Sequence, residues 1–154
     1  EIGIRDWSSD VCSSDLPDDF ITLTATSTMY EKNAVHITPS LSEDVRRKII
    51  KAARQKKMKI AEKGTYWQTP GPRLETKAEI KMMANFADIV GMTMANEAVI
   101  AQEMEIPYAS ACSIDNFGNG LMKEPLTAKE ILTGTRQNAD LMIQLLKIYL
   151  KNFY

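Results

Sequence analysis

Apolar and polar positions follow two rhythms along this chain, and each change of rhythm marks an element. Residues 20–26 are β-branched and apolar, which predicts a strand or extended loop. Ser40 followed by Glu43 has the spacing of a capping box. It opens a helix expected to run to about Lys57, with Val45, Ile49, Ile50 and Ala53 on one stripe. Residues 58–69 predict a strand, ended by the breaker Thr69-Pro70-Gly71-Pro72. A helix over 75–86 follows, with Ala78, Met82 and Phe86 expected inward. Residues 88–93 form a short buried strand. Residues 96–104 are expected to form a helix with Ala98, Ala101 and Glu105 at one-turn steps, and 106–114 a further apolar strand. After the loop Gly118-Asn119-Gly120, Thr127 opens a long helix to about Tyr149, carrying Ile131, Leu132, Leu141, Leu145 and Ile148.

Alternating apolar strands and helices imply an α/β layer fold with a sheet covered on both faces. In such folds ligands bind where strands end and loops begin. Segments 69–76, 91–97 and 113–120 have that address. No repeat of 20–50 residues is present.

Composition narrows the picture. At 154 residues the chain can bury a real core, and 44% hydrophobic with 25% charged residues is ordinary globular usage. A formal net charge of -1 argues against a nucleic-acid partner. The basic clusters Arg46-Arg47-Lys48 and Lys56-Lys57 sit at helical spacing and read as a solvated helix face. Cys12 and Cys112 offer no disulfide framework, which suits a reduced, cytoplasmic protein. No apolar stretch approaches the ~20 residues of a membrane span. Residues 1–16 repeat Ser-Ser-Asp without any structural period and resemble translated sequencing-adapter read-through. They are expected to be a non-native leader, leaving 17–154 as the C-terminal part of a single domain.

Several polar residues stand where chemistry is done. Glu75 lies at a helix start, where free N–H groups and the helix dipole favour a carboxylate; alone, it reads as an ordinary helix-start charge. Thr93 offers a hydroxyl at a strand end, or is a buried strand threonine. Asp115 and Asn116 close an apolar strand, as site residues or as turn formers before Gly118. His36 is the single histidine, so a His-based triad or multi-His metal site does not fit, and no metal is expected. Neither GxGxxG nor a P-loop is present.

Taken in order, Gly71-Pro72-Arg73-Leu74-Glu75-Thr76, Ala78-Glu79-Ile80, the run from Ala87 to Ala98 and Pro107-Tyr108-Ala109-Ser110 resemble the trimeric purine nucleoside and methylthioadenosine phosphorylase family. The likeness extends from about Asp18 to the C-terminus. It implies a three-layer α/β/α fold with a mixed sheet, N-terminally truncated. It also implies phosphorolysis of a purine nucleoside by inorganic phosphate, with no other cofactor. Glu75 would read the N1 side of a 6-oxopurine, and Asn116 would bond the N7 edge as the base departs. Asp115 would donate a proton to N7 or orient Asn116. Leu74 and Phe117 would flank the base, Met92 would pack on the sugar, and Thr93 would contact phosphate or a sugar hydroxyl. A homotrimer is implied, with a neighbour's loop, placed here at 28–36, closing each site.

The departures bear on specificity. Glu75 with Asn116 resembles the 6-oxopurine pattern, whereas methylthioadenosine enzymes put carboxylates near 116 and 118. Asp115 in place of the usual Thr leaves an adenine-type substrate open, and Ala95-Asn96-Glu97 replaces a Val-Pro-Glu or Met-Pro-Glu motif. Where strict nucleoside enzymes place a His for the 5′-hydroxyl, this chain has Ala128, with Ile131 and Leu132 close by. Such an apolar wall favours a 5′-methylthio group by about 1–3 kcal/mol. The family's Gly-rich phosphate loop and its Arg and His phosphate ligands would precede Pro17, so this segment alone is expected to be inactive and poorly stable. Competing expectations are a general phosphorylase for inosine and guanosine, a relative of the nucleoside hydrolases or hexameric phosphorylases, and a non-catalytic purine-binding module.

Overall fold

The computed structural model describes residues 2–3, 14–30, 35–123 and 127–153. In chain order the elements are β1 (Ile2–Gly3), β2 (Ser14–Asp15), β3 (Asp19–Thr22), α1 (Glu43–Gln55), β4 (Ile60–Ala61), β5 (Thr65–Gln68), α2 (Lys77–Met83), β6 (Ile89–Gly91), α3 (Met94–Glu103), β7 (Cys112–Ser113), β8 (Asn116–Phe117) and α4 (Ala128–Phe153). Five strands make one mixed sheet in the order β3-β5-β6-β1-β8. Within it β3, β5 and β6 run parallel, and β1 is antiparallel to β6 but parallel to β8. A smaller sheet has the order β4-β2-β7.

Neighbouring residues of a strand point to opposite faces, and β5 uses this to divide the core. Trp67 packs with Ile80 and Met83 of α2, together with Ala87 and Val90. Tyr66 packs on the other face with Ile89, Cys112, Ile114 and Met94, the first residue of α3. Helices therefore cover both faces of the larger sheet. This is the three-layer α/β/α arrangement with a mixed sheet. A third cluster joins Ala52 and Ala53 of α1 to Leu145 of α4.

The expected elements appear in order, joined by β1, β2 and β8, which the sequence pattern does not predict, and several boundaries and faces move. Ser42, not Ser40, caps α1: its hydroxyl accepts from the Val45 amide. The spacing rule found the right helix but not the residue whose backbone turns into it. Residues 58–69 are not one strand but two, parted around Gly64, whose amide donates to Asp18 Oδ1. α2 begins only after Thr76, which forms a full capping box with Glu79. Ile80 and Met83 are the residues that pack on Trp67, so Ala78, Met82 and Phe86 are exposed. Residues 106–111 are not strand; only Cys112–Ser113 pairs. On α4, Asn138 and Leu145 are buried, with Met142 and Tyr149 partly so, which leaves Leu132 and Leu141 exposed.

Ile2–Gly3 and Ser14–Asp15 both pair as strands, and Leu16 is fully buried. Arg46 anchors this end of the chain. Its buried guanidinium donates to the carbonyls of Leu16, Pro17 and Glu62 and to the Glu43 carboxylate. No helix among the described residues is long and apolar enough to cross a membrane.

Candidate functional site

The parallel strands β5 and β6 end on one rim of the larger sheet, and register brings the start of β8 to the same level. Trp67 pairs with Val90, and Val90 and Asn116 both pair with Ile2, so these positions form one row across four strands. Residues directly opposite share a face, which puts Asn116 on the α2 side, as Trp67 is. Three strand spacings separate β5 from β8, roughly 14 Å.

Beyond β5 the chain turns through Pro70-Gly71-Pro72. Gly71 has φ +59, and a Cβ there would lie 2.5 Å from Met92 Sδ. Only glycine suits that left-handed backbone under such close approach. The turn delivers Glu75 to a buried position, 4% exposed. Its Oε1 accepts a 2.6 Å hydrogen bond from the Thr69 hydroxyl, and its backbone carbonyl accepts one of 3.1 Å from Asn119 Nδ2. The Thr69 amide in turn donates to Gly91 O at 2.8 Å. Segments 69–76, 91–97 and 113–120 are thus tied together around one buried carboxylate. Above it, Arg73 makes a bidentate pair with Glu79, whose carboxyl that bond holds down at about 2.

A hollow of about 180 Å³ opens here, with Trp67, Thr69, Gly71, Arg73 and Glu75 in its wall and Leu23 and Met82 at its apolar side. Of Glu75, Thr93 and Asn116, which the resemblance assigns to one site, Glu75 lines this hollow, while Thr93 and Asn116 do not. Thr93 is exposed at the N-cap of α3, where its hydroxyl makes no cap bond. Asn116 is 6% exposed and its Nδ2 donates to Phe117 O. Leu74 is exposed beside Glu75, and Phe117 is half-buried. Met92 meets the Gly71 turn. Leu132 is 59% exposed, and the side chains of Ala128 and Ile131 fall outside the described set, as do residues 31–34 of the expected 28–36 loop.

Asp115 sits in a bed of donors. Its oxygens accept from Ser113 Oγ at 3.1 Å, Thr135 Oγ1 at 3.0 Å and Asn138 Nδ2 at 2.9 Å. Asn138 also donates to Ile114 O. A carboxylate so surrounded is an anchor that fixes the backbone leading into Asn116.

Sequence reasoning missed Thr69, Gln68, Asn119, Thr135 and Asn138. Buried Gln68 uses its side-chain oxygen to accept from the amides of Ala95 and Asn96, so it caps α3 from the end of β5. Nothing local signals this, because the partners are 27 and 28 residues away. Tyr108 donates to Glu97 at 2.6 Å, and burial followed by that bond pushes its phenol up from its ordinary range. No group of three or more metal-ligating side chains gathers among the described residues.

A twisted α/β sheet with three loops tied over one rim is the layout of a small-ligand site. The chain belongs to the phosphorylase superfamily, whose pattern matches residues 15–151. A probable 6-oxopurine nucleoside phosphorylase of Archaeoglobus fulgidus is 41% identical over 125 residues, covering 80% of this chain and 51% of that protein. A probable S-methyl-5'-thioinosine phosphorylase of Thermodesulfovibrio yellowstonii is 39% identical over 129 residues, covering 81% and 49%. The chain thus spans about half the length of the curated relatives it matches. A methylthioadenosine phosphorylase of Schistosoma mansoni solved with adenine superposes with a TM-score of 0.84 at 19% identity, over 97% of this chain and 62% of that one. The latter likeness is one of fold.

Proposed function

We propose that this chain supplies the base side, and part of the sugar side, of a purine nucleoside phosphorylase active site. Its substrate is a 6-oxopurine nucleoside, with 5′-methylthioinosine first. One observation carries the reading: a buried carboxylate, Glu75, at the wall of a hollow on the strand-end rim. A carboxylate whose one oxygen is already engaged presents the other as an acceptor. A 6-oxopurine offers it the N1–H, whereas an adenine N1 carries no hydrogen.

In this reaction a phosphate oxygen attacks C1′ and the C1′–N9 bond breaks. Its electron pair passes to the purine, which takes up the proton that hydrogen phosphate gives up, giving free base and sugar 1-phosphate. Negative charge grows on the departing base, so donors placed at N7 stabilise the transition state more than the ground state. Asn116 is the residue proposed for that work, with Asp115 holding its backbone. Thr93 is assigned to phosphate or a sugar hydroxyl, and Leu74, Phe117 and Met92 to the base and sugar faces. Ala128, Ile131 and Leu132 are assigned to the 5′ substituent, and Ala128 in place of a histidine supports the methylthio choice. Inorganic phosphate is the only co-substrate in this reading, the protein is a cytoplasmic homotrimer, and neither nucleic acid nor membrane is a partner.

The test joins this chain to the portion of its relatives' length that it does not span. Phosphate-dependent release of hypoxanthine from methylthioinosine and inosine, and of adenine from methylthioadenosine, is followed by absorbance. The expected order places methylthioinosine first. Glu75→Gln is expected to lower kcat/KM for the 6-oxopurine substrates by about 100-fold, the loss of a charge-assisted hydrogen bond. Base release that ignores phosphate would refute phosphorolysis, and purine binding without any turnover would favour a binding module. The 154-residue chain alone is expected to bind base without turning substrate over.

A further inference from the structure

We propose that Thr69 is a positioning residue for base recognition, acting through Glu75; this rests on the reading that Glu75 receives the N1 edge of the purine. Glu75 has three rotatable bonds and sits on a loop, so burial alone does not fix where its carboxylate points. The Thr69 hydroxyl does. It has one hydrogen, and the 2.6 Å contact to Glu75 Oε1 is the short bond, while its approach to Gly91 O is 3.5 Å. The hydroxyl therefore donates to the carboxylate. Thr69 is itself held by the rim, because its amide donates to Gly91 O at 2.8 Å at the end of β6. β-Branching restricts its χ1, which stiffens the aim of the hydroxyl. No described residue donates to Glu75 Oε2. The rigid end of the sheet thus takes one oxygen of Glu75 and leaves the other for a ligand N–H. Arg73 makes no hydrogen bond to Glu75: three of its five N–H groups go to Glu79 and the Leu74 carbonyl.

Preorganised acceptors bind better than mobile ones because less side-chain freedom is lost on binding. Removing the Thr69 donor therefore weakens a ligand that uses Glu75 and spares one that does not. The probes are hypoxanthine and adenine, titrated calorimetrically into the 154-residue chain. Thr69→Val keeps the shape and loses the hydroxyl; Thr69→Ser keeps the hydroxyl and loses the methyl. Hypoxanthine binding is expected to weaken about tenfold in Thr69→Val, adenine binding to change less than twofold, and Thr69→Ser to recover most of the loss. In a Glu75→Gln background, Thr69→Val should add much less than tenfold, because the two residues act as one unit.

Unchanged hypoxanthine affinity in Thr69→Val overturns the proposal, as does an equal loss for both bases. A full tenfold effect persisting in the Glu75→Gln background also overturns it, since Thr69 then acts by another route. If Glu75→Gln itself leaves hypoxanthine binding unchanged, the base-recognition reading of Glu75 fails and the proposal falls with it. Should Thr69→Val lose the near-UV circular dichroism of the folded chain, Thr69→Ala and Thr69→Ser decide by the same comparison of the two bases.

Discussion

Glu75 and Asp115 are both carboxylates in loops at the strand-end rim, yet their surroundings give them different work. Asp115 receives three side-chain donors and spends its acceptor capacity on the protein. Glu75 receives one and keeps an oxygen toward the hollow. The distinction was not legible in sequence, where both were candidate site residues. Thr135 and Asn138 lie 20 and 23 residues beyond Asp115, and only the approach of α4 brings them there. That approach depends on Gly134, where an added Cβ would stand 2.0 Å from the Asp115 carbonyl oxygen. Alanine normally gains about 1 kcal/mol over glycine inside a helix. Here a backbone clash opposes it, costing about 3 kcal/mol by forcing the helix outward. Gly134→Ala is expected to lower the urea midpoint without altering the m-value, and a higher midpoint would show that α4 does not sit this close.

Each helix is placed by what its first turn touches. α2 is set by the reciprocal bonds between Thr76 and Glu79. The expected start at Glu75 was early by two residues, and the face expected inward, Ala78, Met82 and Phe86, is exposed because Ile80 and Met83 pack on Trp67 instead. Thr76→Ala should destabilise the protein by about 1 kcal/mol, measured by denaturant unfolding. It should also loosen Glu75 next door, which trypsin cleavage after Arg73 would report as a faster rate. α3 is set differently: its cap comes from Gln68 on another element, and Thr93 at the N-cap position makes no side-chain bond. Local spacing can reveal the first kind of cap and not the second. α1 and α3 close with Lys57 and Glu105 in the left-handed region, at φ 53 and 56, so neither helix end carried the glycine that marks such a stop.

Across the whole molecule, two carboxyl groups set opposing responses to acid. The Arg73 hydrogen bond first, and the Thr76 backbone amide next, hold the Glu79 carboxyl at about 2 against an ordinary 4.5. A lowered folded value means that its contribution is present above pH 4.5 and is lost as pH falls toward 2. Asp15 goes the other way: burial, then the charge of Asp88, push it up to about 6 from an ordinary 3.8. A raised folded value means stability gained as pH falls through 6 and complete by 3.8. The thermal midpoint is therefore expected to rise on acidification from pH 7 to about 4.5 and to fall below that. Asp15→Asn should flatten the first limb and Glu79→Gln the second, both followed by circular dichroism. A midpoint that only falls from pH 7 downward in the wild-type chain would contradict the placement of Asp15 beside Asp88.

By itself, and β1, β2 and β8 apart, the sequence determined the order of the four helices and of the strand regions between them, the Gly71 turn, the helix–sheet layering and the family motifs. These depend on periodicity, breakers and spacing within a few residues, which are short-range physics. Tertiary structure alone decided which carboxylate keeps a free oxygen, which side of α2 is buried, and which neighbours hold Glu75. Several of the bonds in question join residues 20 to 44 apart, such as Thr135 with Asp115 and Asn119 with Glu75. Their existence follows from strand register and from the close approach of α4. Register and approach are settled by burial across the entire chain, and no local window contains that information.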